Sequence, residues 1–226
     1  MIRSFLTRHL KELSTALRET VYPEGALCRG CGKVSDGGYL CPECRRSLEY
    51  DNALESWERR DLGEAEAWSM RPHKGLARTL VLRLKHGAEA RAAEELAGLL
   101  DSRPAYFPTP DPDTVVTWVP GPKGRVRERC VDHGKLLAEA VARKLGLESA
   151  QLLERQGNHR PQATLREKER QANLEKAFRP LGKIDRPVLL VDDVLTTGTT
   201  ARRCVRALKE AGAERILVLT ATHAAR

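Results

Sequence analysis

The segment VLLVDDVLTTGTT at residues 188–200 carries the side chains with the clearest chemistry in this sequence. Four apolar residues predict a buried strand, and the carboxylates of Asp192 and Asp193 follow it. Open α/β sheets bind their ligands at the carboxyl ends of the strands. The next residues are small and hydroxylated, and backbone N–H groups at the start of a predicted helix suit a phosphate. They are Thr196, Thr197, Gly198, Thr199 and Thr200.

The acidic pair and the small residues have opposite electrostatic preferences, which narrows the class of ligand. Carboxylates repel a phosphate, so Asp192 and Asp193 suit hydroxyl groups that lie about one sugar away from it. Gly198 allows backbone dihedrals that other residues resist, so the chain can approach a phosphate closely. The segment therefore predicts a sugar-phosphate site. The alternative is a threonine-rich helix cap after a buried strand, with the two aspartates on the surface.

Four cysteines form two CxxC pairs, Cys28 with Cys31 and Cys41 with Cys44. Each pair can place two thiolates on one metal ion, and two pairs complete a tetrahedral zinc site. Four cysteines leave no open coordination position, so we expect a structural Zn²⁺. Disulfides or a chance arrangement are the alternatives, but a cytoplasmic chain rarely keeps disulfides. Cys204 lies at core spacing on the last predicted helix, and we expect it to pack in the core.

Strands and helices alternate in the sequence pattern from residue 75 onward. Apolar spacing predicts helices over residues 75–87, 89–100, 134–145 and 199–211. Apolar and β-branched runs predict strands over residues 114–119, 188–191 and 215–221. This alternation predicts an α/β fold with a doubly wound parallel sheet.

The domain boundary is predicted just after the cysteine-rich segment. Residues 1–54 are expected to form an N-terminal helix and zinc-binding module, and residues 55–226 the α/β domain. The polar stretch 49–66 has little apolar periodicity, and we interpret it as a connector that is helical at most in part.

The composition is typical of a soluble globular protein with a basic surface. Charged residues make up 31% of the 226 residues, and the formal net charge is +8. No apolar run approaches the roughly 18–20 residues that cross a bilayer, and the N-terminus lacks the features of a secretory signal. We therefore predict a cytoplasmic protein without membrane insertion. The positive charge makes single-stranded DNA a candidate partner, although few aromatic residues are available to stack on bases.

Residues 188–200 resemble the signature by which type I phosphoribosyltransferases bind 5-phosphoribosyl-1-pyrophosphate (PRPP). That signature has four hydrophobic residues, two acidic residues, three further residues and Thr-Gly-any-Thr, here residues 197–200. The resemblance implies that Asp192 and Asp193 are catalytic and hold the ribose hydroxyls, and that residues 196–200 hold the 5-phosphate. It also implies Mg²⁺ bound with PRPP, and release of pyrophosphate on transfer. The loop that would bind pyrophosphate contains Pro120, Lys123 and Arg125.

The four cysteines ahead of such a domain resemble the ComF family, bacterial proteins linked to natural competence and DNA uptake. Residues 84–87 (LKHG) and several charged residues between 155 and 178 carry further similarity. After Pro120, only Arg129 is kept of the family's Arg-Gly-Phe-Asn-Gln pattern, so the role of that stretch is expected to differ or to be lost.

The ComF resemblance implies an enzyme that transfers a phosphoribosyl group from PRPP, in competence or in nucleotide metabolism. The alternative is a nonenzymatic module that binds PRPP or a nucleotide and acts in transformation through DNA or competence-machinery proteins. No residue identifies an acceptor base. Four histidines show no partner in the sequence, and we interpret them as structural or exposed rather than as acid–base groups. They are His73, His86, His133 and His159.

Overall fold

A computed structural model describes residues 26–50, 56–121, 132–156 and 177–224 of the chain. The chain has two compact units, Met1–Leu48 and Glu49–Arg226. The predicted domain boundary, between residues 54 and 55, falls in a segment outside the described residues and stays a prediction.

Helices and strands alternate along most of the larger unit. Helix α1 (Pro42–Tyr50) lies mostly in the smaller unit. The helices of the larger unit are α2 (Gly75–Gly87), α3 (Ala90–Gly98), α4 (His133–Leu145) and α5 (Thr199–Glu210), and a 3₁₀ turn spans Leu99–Ser102. The strands are β1 (Glu58–Asp61), β2 (Glu66–Pro72), β3 (Val115–Trp118), β4 (Glu148–Ser149), β5 (Leu153–Arg155), β6 (Phe178–Pro180), β7 (Val188–Leu195) and β8 (Ile216–His223). Within the described ranges, no helix is both long and apolar enough to span a membrane.

The main sheet has the strand order β1-β2-β8-β7-β3-β4. Only the edge pair β1 and β2 is antiparallel, and the other neighbouring pairs in this sheet are parallel. Strands β5 and β6 form a separate antiparallel pair. Parallel strands covered by helices are buried on both faces, which explains the uninterrupted apolar run at the start of β7. The predicted α/β class with a mainly parallel sheet is confirmed.

Strand β7 is longer than its apolar run indicates. The sequence predicts a strand over residues 188–191, but β7 continues to Leu195 because β8 stays paired with it. The register joins Asp192 to Thr220 and Leu195 to His223. Behind β7, the buried face of α5 includes Ala201, Val205 and Leu208. Cys204 is fully buried in the same cluster, as its spacing predicts.

The stretch interpreted as a connector instead contains β1 and the beginning of β2. The apolar pattern of β2 is broken by polar side chains that are buried with partners from elsewhere in the fold. Ser69 shares a hydrogen bond of 2.7 Å with Thr220, and Arg71 donates to Ser102 Oγ at 3.0 Å. Because these partners are distant in sequence, periodicity alone does not predict this strand.

Candidate functional site

The acidic pair lies where β7 loses one of its two neighbouring strands. Strand β3 pairs with β7 as far as Val191, whereas β8 continues beside it to Leu195. Asp192 and Asp193 are consecutive residues of an extended strand, so their side chains leave it on opposite sides. Asp193 is only 5% exposed, and Asp192 is partly exposed.

Two basic side chains from distant segments contact Asp193. Lys85 Nζ, on α2, lies 2.9 Å from Asp193 Oδ1, and His133 Nε2, at the start of α4, lies 3.3 Å from Oδ2. The approach of His133 lacks hydrogen-bond geometry, so Oδ2 is buried without a hydrogen bond from the part of the chain that is described. The sequence shows no partner for His133, and the fold supplies one.

The environment pushes the pKa values of the two carboxyl groups apart. Burial raises the pKa of Asp193, but His133 and Lys85 outweigh it, and the pKa lies below its ordinary value. Burial, together with the charge of Asp193, raises the pKa of Asp192 to about 7, although the Asp193 N–H donates to Asp192 Oδ1 at 2.9 Å. Asp193 is therefore the ionised member of the pair at neutral pH, and Asp192 is the one that exchanges a proton there.

His133 is held beside Asp193 by the way α4 begins. The N-cap residue Asp132 accepts the Gly134 N–H at 3.0 Å, and its other oxygen accepts from Trp118 Nε1 at 3.2 Å. A Cβ on Gly134 would lie 3.1 Å from the carbonyl oxygen of Val119, so glycine permits this close approach. Residues 132 and 133 belong to the stretch that departs from the ComF pattern. In this chain Asp132 caps α4, and His133 contacts Asp193.

A hydrogen-bond chain joins His73 to the backbone of Asp193. His73 Nδ1 lies 2.9 Å from Thr222 Oγ1, and the Thr222 hydroxyl donates to the Asp193 carbonyl oxygen at 3.1 Å. Because the hydroxyl proton goes to that carbonyl, Nδ1 of His73 must carry the hydrogen in this arrangement. Burial, reinforced by Lys85 and Arg78, lowers the pKa of His73, so its Nε2 holds a lone pair at neutral pH. His86 is exposed, and His159 lies outside the described residues.

The Thr-Gly loop, residues 196–200, follows β7 and leads into α5. Gly198 has φ 77° and ψ 4°, in the left-handed region, and it is the N-cap of α5 without a side-chain capping bond. The four threonines of the loop are exposed. Thr197 and Thr199 share a hydrogen bond of 2.9 Å between their hydroxyls. The loop therefore places hydroxyls and the amino end of a helix just beyond the acidic pair, an arrangement that suits an anion.

The predicted pyrophosphate loop is described only at its beginning. Pro120 is buried two residues after β3, whose neighbour in the sheet is β7. Lys123 and Arg125 lie outside the described residues, so their role stays a prediction.

The cysteine cluster brings four sulfur atoms together in the smaller unit. The sulfurs of Cys28, Cys31, Cys41 and Cys44 all lie within 4.8 Å of one another, and those of Cys31 and Cys41 are 3.9 Å apart. Four sulfurs at the zinc bond length of about 2.3 Å lie about 3.8 Å apart in a tetrahedron. The cluster therefore fits a four-cysteine zinc site after only a small contraction.

Backbone N–H groups around the cluster favour a thiolate. The N–H groups of Cys41 and Gly30 point at Cys28 Sγ from 3.2 and 3.4 Å, and the Cys44 N–H points at Cys41 Sγ from 3.4 Å. Burial raises the pKa of Cys28, but the N–H groups of Cys41, Cys31 and Gly30 outweigh it, and the pKa is lowered to about 6. Burial and the neighbouring sulfurs raise the pKa of Cys44. A divalent cation would offset the repulsion among four crowded thiolates.

The family comparison concerns the half of the chain that contains the acidic pair. Residues 130–226 match the sequence model of the family described as phosphoribosyl transferase domain. By sequence, this part of the chain is similar to phosphoribosyltransferase domains. The match includes Asp192, Asp193 and the whole Thr-Gly loop, and it covers less than half of the 226 residues. No curated protein matches the chain.

Several solved structures are similar to this chain at low sequence identity. Glutamine PRPP amidotransferase from B. subtilis, complexed with ADP and GMP, matches with 18% identity and a TM-score of 0.44 over 62% of this chain. The chain spans only 30% of that amidotransferase. Purine phosphoribosyltransferase from Pyrococcus horikoshii has 17% identity and a TM-score of 0.32, covering 65% of this chain and 81% of its own. Adenine phosphoribosyltransferase from Leishmania tarentolae has 14% identity and a TM-score of 0.36, covering 72% and 94%. At these values none of them assigns a substrate to this chain.

Proposed function

We propose that the larger unit binds PRPP at the carboxyl end of β7 and transfers its phosphoribosyl group to an acceptor. One observation carries the proposal: a buried Asp193, in contact with Lys85 and His133 and next to Asp192, lies on the strand that leads into a loop whose glycine has positive φ and whose threonines are exposed. This order places acceptors for sugar hydroxyls next to donors for a phosphate, as a 5-phosphorylated ribose requires.

The two ends of the site have separate roles in this proposal. Asp192 and Asp193 accept hydrogen bonds from the ribose 2- and 3-hydroxyls, and residues 196–200 bind the 5-phosphate. In the transfer, the bond from the anomeric carbon to pyrophosphate breaks while the bond to the acceptor forms. Positive charge develops on the ribose ring during this step, and the nearby Asp193 carboxylate stabilises it. The basic side chains that contact the Asp193 carboxylate are Lys85 and His133.

The donor atoms also suit Mg²⁺, which prefers hard oxygen ligands. The protein oxygens that would bind the ion or a ribose hydroxyl are those of Asp192, which is partly exposed, and of Asp193, whose Oδ2 is buried without a hydrogen bond from the described residues. Bound Mg²⁺ would neutralise charge on the pyrophosphate and so make it a better leaving group. The protein's own contribution is to orient the ribose and to keep Asp193 ionised.

We also propose a family, a structural metal ion, a cellular location and partners for this protein. A four-cysteine cluster that precedes this domain in the sequence supports membership of the ComF family, with a structural Zn²⁺ in a module that ends near residue 54. Thiolates that bind a metal persist in a reducing compartment, which supports a cytoplasmic location. The net charge of +8 supports weak binding of single-stranded DNA, and competence-machinery proteins are the partners that the family resemblance implies.

Pyrophosphate release separates the enzyme from a binding module. The protein is incubated with Mg²⁺ and labelled PRPP, together with each common nucleobase, an amine donor or no acceptor. An enzyme releases pyrophosphate with one acceptor and loses this activity by at least about tenfold in Asp193→Asn. The matched control is Asp185→Asn, an exposed aspartate before the opposite end of β7. PRPP binding without turnover on any acceptor would support the nonenzymatic module, and absence of PRPP binding would refute the proposal.

A further inference from the structure

Two arginines from different parts of the fold donate to consecutive carbonyl groups of the Thr-Gly loop. Arg60, on β1, donates from NH1 to the carbonyl oxygen of Thr196. Arg202, on α5, donates from NH1 to the carbonyl oxygen of Thr197 at 2.9 Å. The two contacts fix the orientation of two successive peptide groups just before Gly198.

The orientation of a carbonyl determines where the next N–H group points. No peptide bond in the described residues is cis, and in a trans peptide the C=O and N–H bonds point in opposite directions. The carbonyl of Thr196 shares its peptide with the Thr197 N–H, and the carbonyl of Thr197 shares its peptide with the Gly198 N–H. With both oxygens directed at guanidinium groups, both hydrogens point away from the arginines.

We propose that Arg60 and Arg202 are positioning residues that orient the Thr197 and Gly198 N–H groups toward the ligand phosphate. Neither arginine has to touch the ligand, since each acts through the peptide group that it holds. This inference rests on the proposed function, because it assumes that the loop binds the 5-phosphate.

The side chain of Arg60 is largely shielded from solvent and is held by an ion pair. Its side chain is 9% exposed and forms an ion pair with Glu58, whose other carboxylate oxygen lies 3.3 Å from His223 Nε2. His223 pairs in register with Leu195, the residue before the loop. Glu58 therefore contacts two basic side chains, those of Arg60 and His223. These contacts hold the Arg60 guanidinium against the carbonyl oxygen of Thr196. The preceding Arg59 is 63% exposed and pairs only with Glu66 among the contacts described.

The test is the affinity for ribose 5-phosphate, measured by calorimetry on variants shown to be folded by circular dichroism. Arg60→Met and Arg202→Met should each raise the Kd for ribose 5-phosphate about tenfold, as expected for loss of one charged hydrogen bond. The controls are Arg59→Met and Arg206→Met, whose side chains are exposed on the same strand and the same helix. Both controls should bind within about twofold of the wild type. Arg60→Lys, which keeps a charged donor beside Glu58, should recover part of the loss.

Two further measurements separate positioning from general damage. The double variant Glu58→Gln with Arg60→Met removes the carboxylate charge that Arg60→Met alone leaves without its guanidinium partner. This double variant should still bind ribose 5-phosphate more weakly than the wild type. Mg²⁺–pyrophosphate, which does not use the Thr-Gly loop, should bind all variants as it binds the wild type. Wild-type affinity for ribose 5-phosphate in both Arg60→Met and Arg202→Met would overturn the inference. Equal loss of pyrophosphate and ribose 5-phosphate binding would also overturn it. If the wild type itself does not bind ribose 5-phosphate, the proposed function fails first, and this inference fails with it.

Discussion

Replacing Gly198 with alanine tests whether the Thr-Gly loop requires one backbone geometry. At φ 77°, a residue with a Cβ atom costs about 1–2 kcal/mol relative to glycine. The new Cβ would lie 2.9 Å from Leu62 Cδ2, the end of a flexible side chain, so its displacement adds about 1 kcal/mol. We therefore expect Gly198→Ala to lower the free energy of unfolding by about 2–3 kcal/mol.

Gly63→Ala is the matched control for this substitution. Gly63 also has positive φ, at 89°, but an added Cβ would meet no atom within 4 Å. It should cost only the backbone contribution of about 1–2 kcal/mol, measured by urea unfolding. In calorimetry, Gly198→Ala should weaken ribose 5-phosphate about tenfold, whereas Gly63→Ala should bind normally. Equal binding by the two variants would refute the claim that this loop geometry holds the phosphate.

The remaining predictions concern the metal, the acidic pair and nucleic acid. Protein purified under reducing conditions should contain about one zinc per chain by elemental analysis, and Cys28→Ser should lower that content; metal-free protein would contradict the site. Burial raises the folded-state pKa of Asp192 to about 7, so the folded protein keeps this proton at pH values where the unfolded chain has already lost it. The free energy of unfolding of the wild type therefore falls as the pH rises from about 4 through 7. Asp192→Asn should therefore gain stability relative to the wild type between pH 5 and pH 8 in urea unfolding, and a difference that does not change with pH would be the wrong result. Single-stranded DNA should bind weakly and lose affinity with salt in fluorescence anisotropy, and tight binding that is insensitive to salt would exclude a phosphate-dominated contact.

The parts of the site that are contiguous in sequence could be predicted from it. Residues 188–200 contain the apolar start of β7, the acidic pair and the Thr-Gly loop. Their order in this one segment is enough to predict a sugar-phosphate site. The cysteine pairs could be predicted for the same reason, because CxxC spacing already brings two sulfurs to one point. The length of β7 could not, since residues beyond Val191 are held by pairing with β8 rather than by apolar burial on both faces.

The groups that surround the acidic pair could not be predicted, because the fold gathers them from separate segments. Lys85 lies in the segment 84–87 that resembles the ComF family, but nothing in the sequence pairs it with Asp193, and that contact follows only from the placement of α2 in the fold. His133 has no local partner, and its contact with Asp193 depends on where α4 begins. Arg60 belongs to a polar hairpin that periodicity does not predict, yet its largely buried side chain reaches the Thr-Gly loop.

The most direct test of the PRPP site compares ligands with and without ribose hydroxyls on wild type and Asp193→Asn. Calorimetry with a nucleoside 5-monophosphate and its 2,3-dideoxy analogue, each with Mg²⁺, isolates the hydroxyl contact from the phosphate contact. We predict that Asp193→Asn weakens the ribose ligand about tenfold and leaves the dideoxy ligand nearly unchanged. Equal affinities of wild type and Asp193→Asn for the ribose ligand would contradict the assignment of Asp193 to the ribose, and with it the account of this site.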